Sequence, residues 1–539
     1  MLSNAEIAER LDAFAVLLEL AGSQPYTSRA YRRAADMIRE TPAPIVELVR
    51  QGRVRDLRGI GPGIERRLQE LVETGEIAEL TELEQQVRPE LIGLGRYLGV
   101  SPRRAIEIGE TLGVRDLEEL RDAARNGRLT EVPGIGPKTA AKLVEALERG
   151  APSARRGMLL NRALALEAGL AEALGGTAAG DPRRMRDASE HFAVVCSAER
   201  PDDVLDRFEA LGQVVSIVQR DGRRAVGVTV EGVPVEVVAA APARFGTELV
   251  RATGSAAYID ALGPLPDASD EEAVYRGLGV PWCPPELREE PFLGEPPPLV
   301  ELSDVRGELH CHTTWSDGKA SVLEMASAAR ELGYEYLAIC DHTKAVGAVP
   351  GLDADDVLRQ GDEVAAANEA LTPFRVLAGI ECDILPDGSL DLPDHVLERL
   401  DWVTASIHAG QRAPRKEITV RTVAALRHPA VRALSHPTGR IINHRPPNAV
   451  DLEEVIAVAL EERVAVEING LPDRLDLRDE HVRMCVEAGL PVLCNTDAHS
   501  TRGLGNMRLA VGTGRRGWAT AADVLSTRPL AELLAWKSG

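Results

Sequence analysis

The sequence predicts a multidomain chain of mixed α+β and α/β class, with a helical N-terminal part, a strand-bearing middle and a C-terminal barrel of alternating strands and helices. Three observations carry this. The chain has 539 residues, too many for one hydrophobic core. Two Gly-x-Gly turns, Gly59-Ile60-Gly61-Pro62-Gly63 and Gly134-Ile135-Gly136-Pro137, each precede an amphipathic helix. Further on, short apolar runs repeatedly lead into His, Asp or Glu, the pattern of buried parallel strands that deliver side chains at their C-terminal ends.

Near the N-terminus, Asn4 can cap a helix over residues 5–20, with Ile7, Leu11, Phe14, Leu17 and Leu18 as its apolar stripe. A second helix over about 28–40 carries Arg29, Arg32, Arg33 and Arg39, a face for phosphates or for solvent. In the two turns, the paired glycines permit a tight bend and expose backbone N–H groups. The helix that follows adds the positive end of its dipole. Such a turn holds a DNA phosphate without reading sequence. Gly59, Gly61, Gly63, Gly134, Gly136, Lys138 and Thr139 are therefore the candidate DNA contacts. A weaker copy at Ile92-Gly93-Leu94-Gly95 lacks the proline and reads as a packing turn.

In the middle, strands are predicted over 192–196, 214–218, 225–230 and 233–239. The proline-rich stretch that follows, through Pro298, reads as an extended linker.

The C-terminal part is organised around Glu308-Leu309-His310-Cys311-His312. Its two histidines point to the same side of an extended strand, and Asp317 follows five residues on. Apolar runs at 337–340, 376–380, 402–405, 431–434 and 491–494 lead into His342, Glu381, His408, His436, Asp497 and His499. Six imidazoles and three carboxylates at strand ends suit zinc, manganese or iron. His191, His395, His428, His444 and His481 do not share the pattern. His395, His428 and His481 read as solvated or helix-packing residues, and His444 as a loop residue within reach of a phosphate. Cys311, Cys340, Cys382 and Cys494 adjoin ligand positions, and burial explains them better than ligation. Arg440, four residues after His436, offers a fork for a phosphate.

Composition narrows the function classes. A net charge of −22 argues against wholesale electrostatic attraction to nucleic acid, though not against a local basic face. No apolar stretch approaches 18 residues, which argues against a membrane span. The N-terminus shows no basic region followed by an apolar run. Seven scattered cysteines fit reduced thiols, so a cytoplasmic location is expected.

From about Ser303 onward the sequence resembles a PHP (polymerase and histidinol phosphatase) domain. The resemblance implies a distorted (β/α)7 barrel and metal-assisted phosphoester hydrolysis. It implies up to three divalent ions, Mn2+ or Zn2+, on His310, His312, Asp317, His342, Glu381, His408, His436, Asp497 and His499. These nine serve as both metal ligands and catalytic residues. From Glu6 through the second turn, the order resembles bacterial family X DNA polymerases, whose turns are helix-hairpin-helix motifs. In relatives from that family a lysine after the first hairpin forms a Schiff base with an abasic sugar. Arg67 stands there, and a guanidinium cannot be that nucleophile; Lys142 holds the equivalent place after the second hairpin.

The family resemblance makes residues 150–300 a palm and thumb. The family has a Gly-Ser turn, two Asp separated by one residue, and a third Asp on a later strand, which hold two Mg2+ ions. Here the turn is Gly180-Asp181-Pro182-Arg183-Arg184, and His191, Ala193 and Glu236 stand at the Asp positions. This reads as a palm that kept its fold and lost its metals. The boundaries expected are 1–155 for the helix-hairpin-helix part, 156–290 for the degenerate palm and thumb, 291–302 for the linker and 303–539 for the barrel. The implied function is DNA repair, as a metal-dependent 3′–5′ exonuclease or 3′-end-processing phosphoesterase on gapped, nicked or 3′-ended DNA. Alternatives are a gap-filling DNA polymerase, a small-molecule phosphatase of the histidinol-phosphate kind, and a DNA-binding scaffold with an idle barrel.

Overall fold

A computed structural model describes residues 2, 4–20, 25–40, 45–57, 59–80, 102–114, 117–137, 139–141, 143–144, 157–211, 214–229 and 233–537. The chain divides into two compact units. The first is essentially Met1–Arg155 with short pieces of the middle segment, and the second holds the rest.

In the first unit, α1 (Asn4–Leu20) lies against α2 (Pro25–Glu40). Ile7, Leu11, Phe14 and Leu18 of α1 are buried with Tyr31, Ala34 and Ile38 of α2, as predicted; the Leu17 side chain lies outside what is described. The Asn4 side chain accepts a hydrogen bond from the Ile45 N–H at 2.8 Å, tying α1 to the start of α3 (Ile45–Arg50). In the first Gly-x-Gly turn, Gly59 has φ +101°. Gly61 caps α4 (Pro62–Thr74), with Pro62 pre-set for the first helical position. Ile60, Ile64, Leu68 and Leu71 bury the turn and helix against the core, so the loop backbone is the part left outward. The second turn repeats this: Gly134 has φ +76° and Ile135 is buried with Leu129, Val132 and Leu143. Lys138, Lys142 and the weaker turn at 92–95 lie outside the described residues.

In the second unit, helix α5 (Leu160–Leu174) precedes β1 (Thr177–Gly180) and β2 (Phe192–Ser197). β3 (Val214–Asp221) and β4 (Arg224–Thr229), most of whose residues belong to the first unit, come next in the chain, followed by β5 (Pro234–Ala240) in the second, all close to the predicted spans. β2 pairs antiparallel with β1 and parallel with β5. Helix Phe245–Thr253 covers one face, where Ala193, Val195, Val238 and Ala240 meet Leu249 and Ala252.

The barrel strands are β6 (Gly307–Cys311), β7 (Tyr336–Ile339), β8 (Arg375–Asp383), β9 (Trp402–Ser406), β10 (Ala433–Leu434), β11 (Ala465–Asn469) and β12 (Val492–Asn495). They lie in chain order, all parallel. A bridge between Cys311 and Ala498, with the His312 N–H donating to the Ala498 carbonyl at 2.9 Å, brings the ends together into a nearly closed barrel. β10 is shorter than the apolar run 431–434 predicted, and β11 was not among the predicted strands.

The proline-rich stretch is not a free spacer. Val300 is fully buried and its N–H donates to the Ala519 carbonyl at 2.9 Å, while Phe292 stacks edge-on against Trp518 at 4.6 Å. The apolar residues among its prolines bind it to the barrel's C-terminal segment. The middle segment is also tied to the barrel: Arg516 holds Glu289, Asp479 and the Arg184 carbonyl. Among the described residues, no helix is long and apolar enough to cross a membrane.

Candidate metal centre

All nine predicted ligand positions meet at the C-terminal mouth of the barrel. His310 and His312 lie at the end of β6 and just beyond it. After them the chain turns so tightly that a Cβ on Gly318 would stand 2.5 Å from the His312 carbonyl oxygen. That close approach sets Asp317 over the barrel mouth. His342 follows β7, Glu381 is on β8, His408 follows β9, His436 follows β10, and Asp497 and His499 follow β12.

Glu381 is the hub. It is fully buried and lies 2.8 Å from His342 Nδ1, 2.9 Å from His436 Nε2, 3.5 Å from His310 Nε2 and 3.6 Å from His408 Nε2. Asp497 Oδ1 stands 3.0 Å from His312 Nε2, and Asp317 Oδ2 3.2 Å from His499 Nε2. Three groups offer ligand atoms all within 4.8 Å of one another: His312, Asp317, His342 and His499; His310, His312 and Asp497; and His342, Glu381 and His408. His436 joins through Glu381. His436 and Asp497 have φ of 24° and 51°. Such left-handed backbone costs on the order of 1–3 kcal/mol and persists only where the surroundings over-determine it.

Electrostatics explain the arrangement. Burial opposes ionisation of Glu381, but the imidazoles of His342, His408 and His310 overcome it and hold the carboxyl well below its ordinary range. Asp497 is held low in the same way by His310 and His312. Burial disfavours the His499 imidazolium, yet Asp317 and Asp497 raise its pKa to about 9. His312 goes the other way, to about 4, under burial and the neighbouring His342.

Metal ions fit this donor set. His310 Nε2, His312 Nδ1, His342 Nδ1, His408 Nε2, His436 Nδ1 and Glu381 Oε2 are buried without a hydrogen-bond partner. Buried polar atoms are rarely left so, and all six belong to the ligand residues. Cations would satisfy them.

Sequence reasoning missed the residues behind the ligands. Glu467, on β11, accepts from His310 Nδ1 at 2.6 Å and from the His436 N–H at 2.9 Å. Asp383 accepts from His408 Nδ1 at 3.2 Å, and Asn469 donates to Asp497 Oδ2 at 2.9 Å. Carboxylate and amide supports of this kind fix the imidazole tautomer and ring orientation. The available signal was an acid inside the apolar run Val464-Ala465-Val466-Glu467-Ile468. The cysteines are packing residues: Cys311 and Cys340 donate to the carbonyls of Ala338 and Leu309, and burial pushes the Cys382 and Cys494 thiols up to about 12.

Other predicted residues lie elsewhere. Arg440 is buried with Nη1 on Asp187 at 2.7 Å and Nη2 on the Leu475 carbonyl. Its fork is thus held by the protein itself. Arg67 pairs with Glu70 and Glu79 and lies over the Phe14 ring. Gly61 and Gly136 have nothing within 4 Å of where a Cβ would stand, and the Gly63 position meets only the Tyr31 hydroxyl, at 4.0 Å.

In the middle segment, Ala193 and Glu236 are paired across β2 and β5. His191 Nε2 lies 3.9 Å from Glu236, which is itself bound by Arg224 at 2.7 Å; Arg224 also binds Glu248 at 2.6 Å. Ala193 is fully buried under helix Phe245–Thr253. The three positions adjoin, as the sequence alignment requires, but supply one carboxylate, and an arginine holds it. Asp181 is taken up by Arg184 and the N–H groups of Glu190 and His191.

Comparisons with known proteins match several parts of the chain. A model described as a helix-hairpin-helix domain matches residues 2–77, a SAM-like helix-hairpin-helix tandem matches 90–149, and a PHP domain matches 308–470. The DNA polymerase/3′-5′ exonuclease PolX of Bacillus subtilis is 30% identical over 98% of this chain and 98% of its own. A probable phosphatase of Acetivibrio thermocellus is 36% identical over 23% of this chain and 51% of its own. The Holliday junction branch migration complex subunit RuvA of an Acidovorax species is 43% identical over 13% of this chain and 34% of its own.

Proposed function

This chain belongs to the family of the bacterial DNA polymerase/3′-5′ exonuclease PolX, and from that membership we propose that it is a metal-dependent phosphoesterase that trims or deblocks DNA 3′ ends during repair. The observation that carries this reading is the cluster of nine buried or half-buried ligand side chains whose orphaned nitrogens and oxygens face one another. Bound Mn2+ or Zn2+, up to three ions, would activate water and neutralise phosphate charge. The protein's own part is to hold the ligands: Glu467 and Asp383 orient His310 and His408, and Asn469 orients Asp497. The glycine turns, with Gly59, Gly61, Gly63, Gly134, Gly136, Lys138 and Thr139, hold the DNA backbone of gapped, nicked or 3′-ended substrates.

The boundaries at 155/156, 290/291 and 302/303, a cytoplasmic location and a phosphate contact by Arg440 belong to the same proposal. The family name also includes polymerisation. The arginine-bound Glu236 and buried Ala193 argue against it here, because two-metal transfer needs carboxylates free to hold both ions. The test is a labelled primer–template with Mn2+, with and without nucleotides. Shortening is expected in both, and His312→Ala with Asp497→Ala should abolish it while DNA binding persists. Lengthening without shortening, or protein that takes up neither Mn2+ nor Zn2+, would overturn the reading.

A further inference from the structure

The loop that leaves the metal centre at His436 runs on to Pro447. Its part from Arg440 onward, with Asp187 and Arg478, lines an open cavity of about 340 Å³. The polar wall is Asp187, Arg440, Asn443, His444, Arg445 and Arg478. Three guanidinium groups thus face one carboxylate. Arg440 is only 8% exposed; Asp187 and the Leu475 carbonyl hold its two terminal nitrogens, and Nε is buried without a partner. Arg445 donates Nε to the Gly439 carbonyl at 2.8 Å and makes no ion pair among the described residues. Burial and the nearby Arg474 pull its pKa below the guanidinium range. Arg478 binds Glu480 at 2.8 Å, and its Nε, without a hydrogen bond, lies 3.9 Å from Asp479 Oδ1. Guanidinium groups whose N–H donors are only partly satisfied around a polar cavity fit an anion with several acceptor oxygens.

We propose that this cavity is a second phosphate site, which takes a backbone phosphate of the DNA strand whose 3′ end occupies the metal centre. Arg445 and Arg478 are its donors, and Asp187 is a resident carboxylate that the phosphate competes with on Arg440. The inference rests on the reading of the barrel as a DNA phosphoesterase. It gives the middle segment a role, because Asp187 comes from the turn between β1 and β2.

The experiment titrates a 5′-phosphorylated thymidine dinucleotide, and separately inorganic phosphate, into the metal-stripped full-length protein by calorimetry. Arg445→Ala and Arg478→Ala are expected to weaken dinucleotide binding about tenfold or more, equivalent to about 1.4 kcal/mol. Arg445→Lys and Arg478→Lys should retain most of it, and Asp187→Asn should tighten it. With metal restored, the two alanine variants should raise KM for a 3′-ended oligonucleotide and leave kcat for a small chromogenic phosphodiester unchanged. Unchanged dinucleotide affinity in both alanine variants would overturn the site, as would Asp187→Asn weakening binding as much as they do. Inorganic phosphate binding as tightly as the dinucleotide, with the same arginine dependence, would overturn the assignment to a DNA strand. If metal-loaded wild type leaves the chromogenic ester intact, the phosphoesterase reading fails, while the metal-free titration still decides the cavity.

Discussion

Glu467 shows how a residue that touches no substrate governs the centre. Its carboxylate accepts from His310 Nδ1 through one oxygen and from the His436 N–H and Asn469 through the other. Glu467→Gln removes the charge that makes His310 a better donor to a cation through Nε2. The expected result is a loss of about 10–100-fold in metal affinity or activity, read by Mn2+ titration alongside turnover. Unchanged affinity and turnover would show that Glu467 is only a packing residue. A second buried acid tests the middle segment. Burial pushes Glu167 from 4.5 to about 9, against the hydrogen bond it accepts from the Ala193 N–H; Oε2 has no partner. The folded state therefore keeps a proton that the unfolded chain loses between pH 4.5 and 9. Stability is full below that window and falls as pH rises through it, by about 1.4 kcal/mol per unit at most. Glu167→Gln should flatten this slope, as urea melts at roughly pH 5.5 and pH 8, both inside the window, would show; parallel slopes in both proteins would contradict the assignment.

At the scale of the element, each glycine turn separates two jobs. Ile60 and Ile135 anchor the turns in the core, while the glycine backbone faces outward. Gly61 has φ −87° and ψ 171°, an extended conformation open to any residue, with no atom within 4 Å of a Cβ. Gly61→Val and Gly136→Val should therefore leave the melting temperature nearly unchanged and still weaken DNA binding, because the side chain blocks the approach of a phosphate to the N–H groups. Binding should also fall steeply with salt, as phosphate contacts release counterions. If DNA affinity survives both substitutions, the turns are structural and DNA is held elsewhere. In the barrel, the short strand β10 does its work with two residues, because the loop after it is held by Glu467 and Asp476.

Across the whole molecule, the charged groups of the middle segment tie it together and to the barrel. Its charged groups are spent on internal partners: Arg183 and Arg288 on Glu271, Arg184 on Asp181 and Glu289, Arg224 on Glu236 and Glu248. Several then continue into the barrel through Arg516 and Arg440. A variant with His312→Ala and Asp497→Ala, which cannot hide synthesis behind degradation, should show no templated primer extension with Mg2+ or Mn2+. Extension by that variant would mean that carboxylates outside positions 191, 193 and 236 hold the metals. Adding Ala193→Asp should not create synthesis and should lower stability by several kcal/mol, roughly the cost of burying a carboxylate without partners, since Ala193 is fully buried.

The sequence by itself pointed to the barrel and to the nine side chains that converge at its mouth, because alternation and strand-end placement are local properties, and a His-x-His pair must share one face of a strand. The reading that the Asp pair is missing came from setting residues 191, 193 and 236 against the family pattern. Tertiary structure alone decided what stands behind each ligand. Glu467 lies 157 residues from the His310 it orients, and nothing local marks an acid in an apolar run as a partner of a distant imidazole. It decided that the proline-rich stretch is packed rather than free, since Val300 finds Ala519 only after folding. It decided that Arg440, legible as a free fork, is held by Asp187 from 253 residues away. Charge pairing across such separations depends on which surfaces the fold brings together, and a linear pattern carries no record of that.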